Sequence, residues 1–249
     1  MSLQNPLAVL ADIHGNSFAL EAVLLDMKRR GINRFVNLGD SFYGPLDPAG
    51  TWHILREQDV PTVLGNQDRI LMEGGFDWEQ VPAFQAAVSA LGEDGMAWLR
   101  DLPATRVIEG DILLCHGTPK DDMTYLIEEI GSGAPATREC RDIKNDLFPS
   151  ANGCTLVLAG HSHHPGVVDC AGTTIVNPGS VGLPSYEDDS PPHIMSSGTP
   201  YAKYGVVARS EAGWQVEFIS VQYDWQAAAD MARTNGRDDW AQWLLTGLA

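Results

Sequence analysis

Six short apolar runs recur along this chain, and five of them stop at side chains of the kind that hold metal ions. Residues 7–11 are followed by Asp12 and His14, residues 34–38 by Gly39 and Asp40, and residues 61–64 by Gly65, Asn66, Gln67 and Asp68. Residues 111–115 are followed by His116 and Gly117, and residues 155–159 by Gly160, His161, Ser162, His163 and His164. The sixth run, residues 173–176, leads into Asn177. Runs this short and this apolar read as buried strands. Sheets of that kind place their ligands at the carboxyl ends of strands, and a glycine there allows tight turns and close backbone approach. Five of the seven histidines lie at these ends, so one metal-binding centre fed by several strands accounts for them better than scattered core histidines do.

His161 and His163 set the scale of that centre. In an extended chain, residues two apart project to one side and lie roughly 6.5–7 Å apart. Side chains converging from that separation suit one histidine on each of two ions about 3.5–4 Å apart.

Charge bounds the substrates. The formal net charge is -17, with 16 Lys and Arg against 33 Asp and Glu. Long nucleic acid is held chiefly through cationic patches, so no long nucleic-acid partner is expected, whereas a local metal centre can still hold a small phosphate. Cys115, Cys140, Cys154 and Cys170 form no Cys-x-x-Cys pair; no disulfide framework is expected, and a reduced, cytoplasmic setting fits. Residues 1–5 lack a basic segment followed by an apolar core, so no secretory signal is expected. No apolar run approaches membrane-spanning length, so no membrane partner is expected either. Nothing in the sequence sets an oligomeric state.

With 249 residues and no long linker or repeat, the expectation is a single domain over residues 1–249. Asn16 or Ser17 caps a first helix in which Leu20, Val23, Leu24 and Met27 share a face and Gly31 is the stop. A second helix is expected over residues 49–58, and a third over 78–102 with a break near Gly92. Residues 105–108 with 111–115, 166–170 with 173–176, and 203–208 with 214–221 read as hairpins. Residues 121–148 read as one or two helices around a Gly-Ser-Gly loop. Residues 185–200, rich in Pro, Ser, Asp and Gly, read as a mobile loop. Residues 225–248 read as two helices divided at Asn235-Gly236, with their Trp and Met residues packing into the core.

Taken in order, Asp12-x-His14, Gly39-Asp40, Gly65-Asn66-x-Asp68, His116-Gly117 and Gly160-His161-x-His163 resemble the five motif blocks of the calcineurin-like metallophosphoesterases. Asn177-Pro-Gly-Ser-Val181 and the loop Tyr43-Gly44-Pro45 look like the smaller bacterial branch of that family. The resemblance spans residues 7–221. It implies an α/β (α+β) fold, a two-layer β-sandwich flanked by helices, with two divalent transition-metal ions (Mn, Fe, Zn or Ni, with Mn first among them). By position, Asp12, His14, Asp40 and His163 would hold one ion and Asp40, Asn66, His116 and His161 the other, with Asp40 bridging. Oxygen and imidazole donors without thiolates suit such ions. Two ions so placed bind phosphate oxygens, lower the pKa of a bridging water and support in-line displacement by the resulting hydroxide. The implied activity is phosphohydrolase cleavage of a small phosphorylated substrate: a phosphodiester, a nucleotide or a dinucleoside polyphosphate.

The sequence departs from the family at one position. Members usually carry a histidine after the Asn of the third block, oriented by the residue that is Asp68 here and proposed to protonate the leaving group. This chain has Gln67, and an amide gives no proton near neutral pH. General acid catalysis is worth about 10²–10⁴ in rate. Three readings follow: a substrate with a good leaving group, a neighbouring donor (His164 or the loop residue His193), or a metal-binding scaffold with weak or lost catalysis. Asp40, Asn66, Gln67, Asp68 and His164 are the candidate catalytic positions. Lys120 and Arg69, just after motif residues, and Asn177 are the candidate substrate contacts.

Overall fold

The computed structural model describes residues 5–75, 77, 80–131 and 135–249. Two sheets face one another. One has β1 (Leu7–Leu10) and β2 (Phe35–Asn37) in parallel, with β12 (Ala202–Ser210) and β13 (Gly213–Val221) added antiparallel in the order β13-β12-β1-β2. The other has β4 (Ile112–Cys115), β7 (Leu156–Leu158) and β9 (Thr173–Asn177) in parallel. The antiparallel strands β3 (Thr105–Ile108) and β8 (Gly166–Cys170) close its edges, in the order β3-β4-β7-β9-β8.

Alternation along each strand builds the layers. Leu7 and Val9 of β1, Ile112 and Leu114 of β4, and Leu156 and Leu158 of β7 meet in one apolar cluster between the sheets. The intervening Ala8 and Leu10 face the helices on the outside of the first sheet. Leu113, Cys115 and Val157 face outward on the second. A period-2 pattern that is apolar at every position is what a strand covered on both faces requires. The fold is therefore a two-layer sheet sandwich with helices outside.

Most of the helical cover lies on the first sheet. It comprises α1 (Ser17–Arg29), α2 (Pro48–Leu55), α3 (Asn66–Glu73), α4 (Pro82–Arg100), α6 (Trp225–Thr234) and α7 (Asp238–Thr246). Asn16 caps α1, its side chain accepting from the Ala19 amide at 3.1 Å. The break expected in α4 falls at Gly92, whose φ is 58°. The expected start of that helix at Trp78 lies outside the described residues. The second sheet is covered by α5 (Cys140–Leu147), which packs Ile143 and Leu147 inward.

Four expectations are corrected. Residues 121–148 hold one helix, α5, preceded by a hairpin of β5 (Glu128–Ile130) with β6 (Pro135–Thr137); Ser132 and Gly133 of the Gly-Ser-Gly loop lie outside the described residues. Residues 185–200 are no loose loop. β10 (Ser185–Asp189) pairs in register with β11 (Pro192–Ser196), and Ser185 Oγ ties the two by donating to the Met195 carbonyl at 2.8 Å. Glu, Asp and Pro are poor strand formers, which is why composition pointed elsewhere. Residues 61–64 form no regular strand, only a parallel bridge between Thr62 and Asn37. Finally, Cys140 and Cys170 are bonded, their Cα atoms 5.3 Å apart, while Cys115 and Cys154 are free and buried. The packing of α5 against β8 brings together cysteines 30 residues apart, and the disulfide removes the support that cysteine usage gave to a reduced compartment. Among the described residues, no helix is long and apolar enough to cross a membrane.

Candidate metal centre

The carboxyl ends of β1, β2, β4 and β7 meet at one edge of the sandwich, and backbone hydrogen bonds fasten them to each other. Asp12 N donates to Gly39 O at 3.0 Å, His14 N to Asp40 O at 2.9 Å, and Gly160 N to His116 O at 2.7 Å. Gly39 and Gly65 touch: a Cβ on Gly65 would lie 2.2 Å from Asp40 Oδ1 and 2.3 Å from Asp40 N. The end of β2 and the turn into α3 can approach so closely only without side chains.

Two groups of ligand-type atoms result, each lying within 4.8 Å: Asp12, His14 and His163, and Asp40, His116 and His161. All six residues are buried. Among the described residues, eight non-glycine residues have positive φ, and five of these are Asp12, His14, Asp40, His161 and His163, at 52–70°. Such backbone costs of order 1–3 kcal/mol per residue and collects where function demands it. An extended 161–163 segment, expected from the sequence, is therefore not found. His161 and His163 do fall in different groups, but from left-handed backbone and not from the same-side projection of an extended chain.

Backbone carbonyls fix the rings. His14 Nδ1 faces Tyr43 O at 3.0 Å, His163 Nδ1 faces Leu183 O at 2.8 Å, and His116 Nδ1 faces Leu38 O at 2.8 Å. His161 is reversed, with Nε2 on Met123 O at 3.0 Å. A carbonyl only accepts, so the nitrogen facing it carries the proton and the opposite nitrogen presents a lone pair to the site. The consequence is direct. His14 Nε2 and His163 Nε2 stand 3.1 Å apart, lone pair toward lone pair. His116 Nε2 faces Asn66 Oδ1 at 2.8 Å and Asp40 Oδ2 at 3.4 Å, both acceptors. These are arrays of acceptors, each asking for a cation.

The protonation of the bare site answers that demand. Burial works against charge on His116, but the Asp40 charge and hydrogen bond, with Asp12, raise its pKa to about 10. Burial and the His163 charge lower His14 to about 4, and burial and the His116 charge lower His161 to about 4. Burial alone would raise the carboxyls of Asp12 and Asp40; the surrounding histidines outweigh it and hold both below the usual range. Asp40 feels both groups, through His116 and His161 on one side and His14 on the other. Its Oδ1 also accepts from Gln67 N at 2.8 Å, in the first turn of α3, where helix amides favour an anion. Divalent ions fit this donor set of imidazoles, carboxylates and an amide oxygen.

A cleft of 440 Å³ opens over the pair of groups, and Asp40, Asn66, Gln67, His161 and His163 line it. Gln67 Oε1 is buried there and has no hydrogen-bond partner. Asp68 does not orient residue 67: it is buried under α3 and accepts from Ser41 N at 3.0 and 3.1 Å. Burial and the Asp40 charge raise its pKa to about 7.

The remaining candidates lie elsewhere. His164 is exposed and lines a separate hollow of 170 Å³ with Glu128. Arg69 is committed to Asp122, through bonds of 2.7 and 2.9 Å, and to Glu73. Lys120 Nζ donates to Asn145 O. Neither cation lines the cleft. Asn177 is buried behind the site, donating to Gly160 O at 2.6 Å and Ser162 Oγ at 3.0 Å, so it braces the loop that carries His161 and His163.

In this pattern of strand-end residues, the family is decided by one match: the model of the calcineurin-like phosphoesterase superfamily domain covers residues 6–196. The chain belongs to that superfamily. It is a phosphoesterase of the calcineurin-like type. Over 255 residues it is 26% identical to the uncharacterized protein MJ0912 of Methanocaldococcus jannaschii, with 96% of each chain covered. In fold it is similar to a metallophosphoesterase from Sphaerobacter thermophilus (TM-score 0.74, 24% identity, 98% of this chain and 100% of that one). It is also similar to the hypothetical protein PH1004 from Pyrococcus horikoshii OT3 (TM-score 0.73, 21% identity, 97% and 98%).

The cleft walls carry residues that sequence reasoning passed over. On one side the β10–β11 hairpin brings Tyr186, whose hydroxyl donates to His161 O at 3.2 Å and meets Tyr125 Oη at 2.5 Å. His193, expected to be solvated, is buried and bonds Tyr125 Oη at 2.8 Å. The Tyr186 ring packs on His163 and the Tyr125 ring on His161, at 4.6 and 4.8 Å between centroids. On the other side α7 brings Trp240 and Trp243, which are in the core as expected and line the cleft as well. The spacing Arg237, Trp240, Trp243 is one helical face, the single signal in the sequence for that wall.

Proposed function

We propose that the cleft holds two divalent transition-metal ions and hydrolyses a small phosphoester or phosphoanhydride. Asp12, His14, Asp40 and His163 would hold one ion and Asp40, Asn66, His116 and His161 the other. The observation that carries this reading is the convergence of two buried ligand groups, Asp12 with His14 and His163, and Asp40 with His116 and His161, the ligand atoms of each group lying within 4.8 Å of one another. Two ions bound there would neutralise phosphate charge and lower the pKa of a water for in-line attack.

The chain's own part is positioning. Carbonyls of Leu38, Tyr43, Met123 and Leu183 hold each imidazole with its free nitrogen inward, which raises ligand basicity and fixes geometry. The first turn of α3 holds Asp40 between the two groups. Gln67 lines the cleft beside Asn66; its amide can donate a hydrogen bond to a leaving oxygen but no proton. His164 lies outside the cleft and His193 is engaged with Tyr125 and the Pro191 carbonyl. Substrates with good leaving groups, aryl esters and phosphoanhydrides, therefore suit this site best. Manganese is the first choice of ion.

The test is a metal-by-substrate panel on protein stripped and reloaded with Mn, Ni, Zn or Mg, run against aryl mono- and diesters, cyclic nucleotides and dinucleoside polyphosphates. Close to two ions per chain, with metal-dependent turnover, is the expected result. Fewer than one ion at saturating Mn²⁺ rules out the dinuclear centre. Two ions without turnover on any substrate would establish the alternative that Gln67 favours, a metal-binding scaffold.

A further inference from the structure

The wall formed by α7 lies beyond residue 196, where the match to the family domain ends, and it is built into the site. The Trp240 indole stands edge-on to the His14 ring at 5.8 Å between centroids. Gly44 makes this contact possible: a Cβ there would lie 3.1 Å from the indole and 2.4 Å from His14 O. Asn235 Nδ2 donates to Pro45 O at 2.7 Å, fastening the turn before α7 to the same loop. At the far end of the helix, Gly198 N donates to Gly247 O at 3.0 Å, joining α7 to the segment after the β10–β11 hairpin.

Arg237 sits on this wall. Its guanidinium carbon lies 5.3 Å above the Trp240 ring centroid, within the range of a cation–π contact. Its Nε and Nη2 donate to Asp239 at 2.9 and 2.7 Å. Among the described residues lining the cleft, it is the sole Lys or Arg. The β10 part of the rim carries Glu187, Asp188 and Asp189. An anion entering beyond the metal centre is repelled there and finds at Arg237 a pre-oriented planar fork with donors to spare. Two contacts, of 5.8 Å and 5.3 Å, separate the His14 ring from that fork. A ligand whose phosphoryl group sits at the proposed metal centre can present a second anionic group to that fork.

We infer that Arg237, braced by Trp240 and Asp239, binds a second anionic group next to the phosphoryl group held at the metal centre, so that the cleft selects phosphoanhydrides over simple phosphate monoesters. This rests on the dinuclear phosphoesterase reading above and adds a specificity residue to it.

The experiment is calorimetric titration of the Mn²⁺-loaded protein with orthophosphate and with imidodiphosphate, an anhydride mimic that resists hydrolysis. The readout is the ratio of the two Kd values. Wild type is expected to prefer imidodiphosphate. Arg237→Gln is expected to cut that preference at least tenfold, and Arg237→Lys, which keeps charge without the fork, to fall between. Arg209→Gln, at a surface ion pair with Asp111, is expected to leave the ratio unchanged. Near-UV circular dichroism checks that the variants fold; if the Gln variant does not, a fall in the ratio for the Lys variant decides. An unchanged ratio in the folded Arg237 variants, with both ligands still bound, overturns the inference alone. Wild type that binds two Mn²⁺ but neither anion overturns the phosphoesterase reading and this inference with it.

Discussion

The floor of the cleft and its walls are built on different principles. The floor is made of strand ends: Asp12, His14, Asp40, His116, His161 and His163 are buried, locked by backbone hydrogen bonds, and five of the six lie in left-handed backbone. The walls, the β10–β11 hairpin, α7 and the segment before β5 that carries Tyr125, touch the floor through rings and hydroxyls: Tyr186 on His163, Tyr125 on His161, Trp240 on His14. On the proposed reading, the floor would hold the ions and the walls would select which molecule reaches them, so that chemistry and selectivity would be carried by separable parts of one chain.

Floor variants should show the largest effects. Asp40→Asn is expected to lower turnover by on the order of 10³, since both ions lose a charged ligand; initial rates under saturating Mn²⁺ measure it, and wild-type-like turnover would remove Asp40 from its role. Gly65→Ala forces a methyl against Asp40 Oδ1 and N and is expected to leave fewer than two ions per chain by metal analysis. A full complement would show that these two segments can part without cost. Gln67→His, at the junction of floor and cleft, is expected to speed cleavage of alkyl esters about 10- to 100-fold more than of p-nitrophenyl esters. Equal gains on both would mean that no missing acid limits the rate.

A smaller effect probes the floor from behind. Glu128 is buried at 6% exposure, and one of its oxygens has no hydrogen-bond partner. Burial raises its pKa from 4.5 to about 7, against a hydrogen bond from Ser162. The folded chain therefore favours the protonated acid. That contribution is complete below pH 4.5, shrinks as pH rises, and is gone once pH passes about 7. Glu128→Gln, neutral throughout, is expected to gain on wild type by on the order of 2 kcal/mol between those limits. Urea unfolding at pH 4.5 and pH 8 measures the gap, and a gap that does not widen refutes the shift. Smallest is the wall variant Tyr186→Phe, which deletes a hydroxyl from His161 O and Tyr125. It is expected to cost about 1 kcal/mol of stability while leaving metal content at the wild-type level; a lost ion would show that wall and floor are one unit.

The same division separates what was legible in the sequence from what was not. The floor residues are local events: an apolar run that ends directly in Asp12 or His116, or in a glycine and then Asp40 or His161, each visible in a window of ten residues. Three hairpins follow from similarly local patterns, whereas the sandwich was implied by the ordered motif blocks taken together. The walls are long-range events. Ser185–Asp189 reads as polar loop because its carboxylates face the cleft mouth and solvent, and only the pairing with Pro192–Ser196 makes it a strand. Arg237 lies 223 residues beyond His14, and no local pattern links the two. Cys140 and Cys170 escaped notice for the same reason. His164 shows the converse limit, since a residue next in sequence to the floor histidine His163 is exposed and lines a separate hollow.

The left-handed backbone beneath the floor has a consequence for how such a site drifts over generations. Asn, Asp and His enter that conformation more readily than other side chains that carry a Cβ. A lineage can therefore exchange Asp12 or Asp40 for Asn, or His14, His161 or His163 for Asn, with little conformational penalty, while a change to Val or Ile at the same places disrupts the loop. Mutation erodes the ion-holding charge along a path on which the architecture survives. A descendant of this chain that had lost its chemistry would still present the same surface to any partner, which makes the step from hydrolase to recruiting platform a short one.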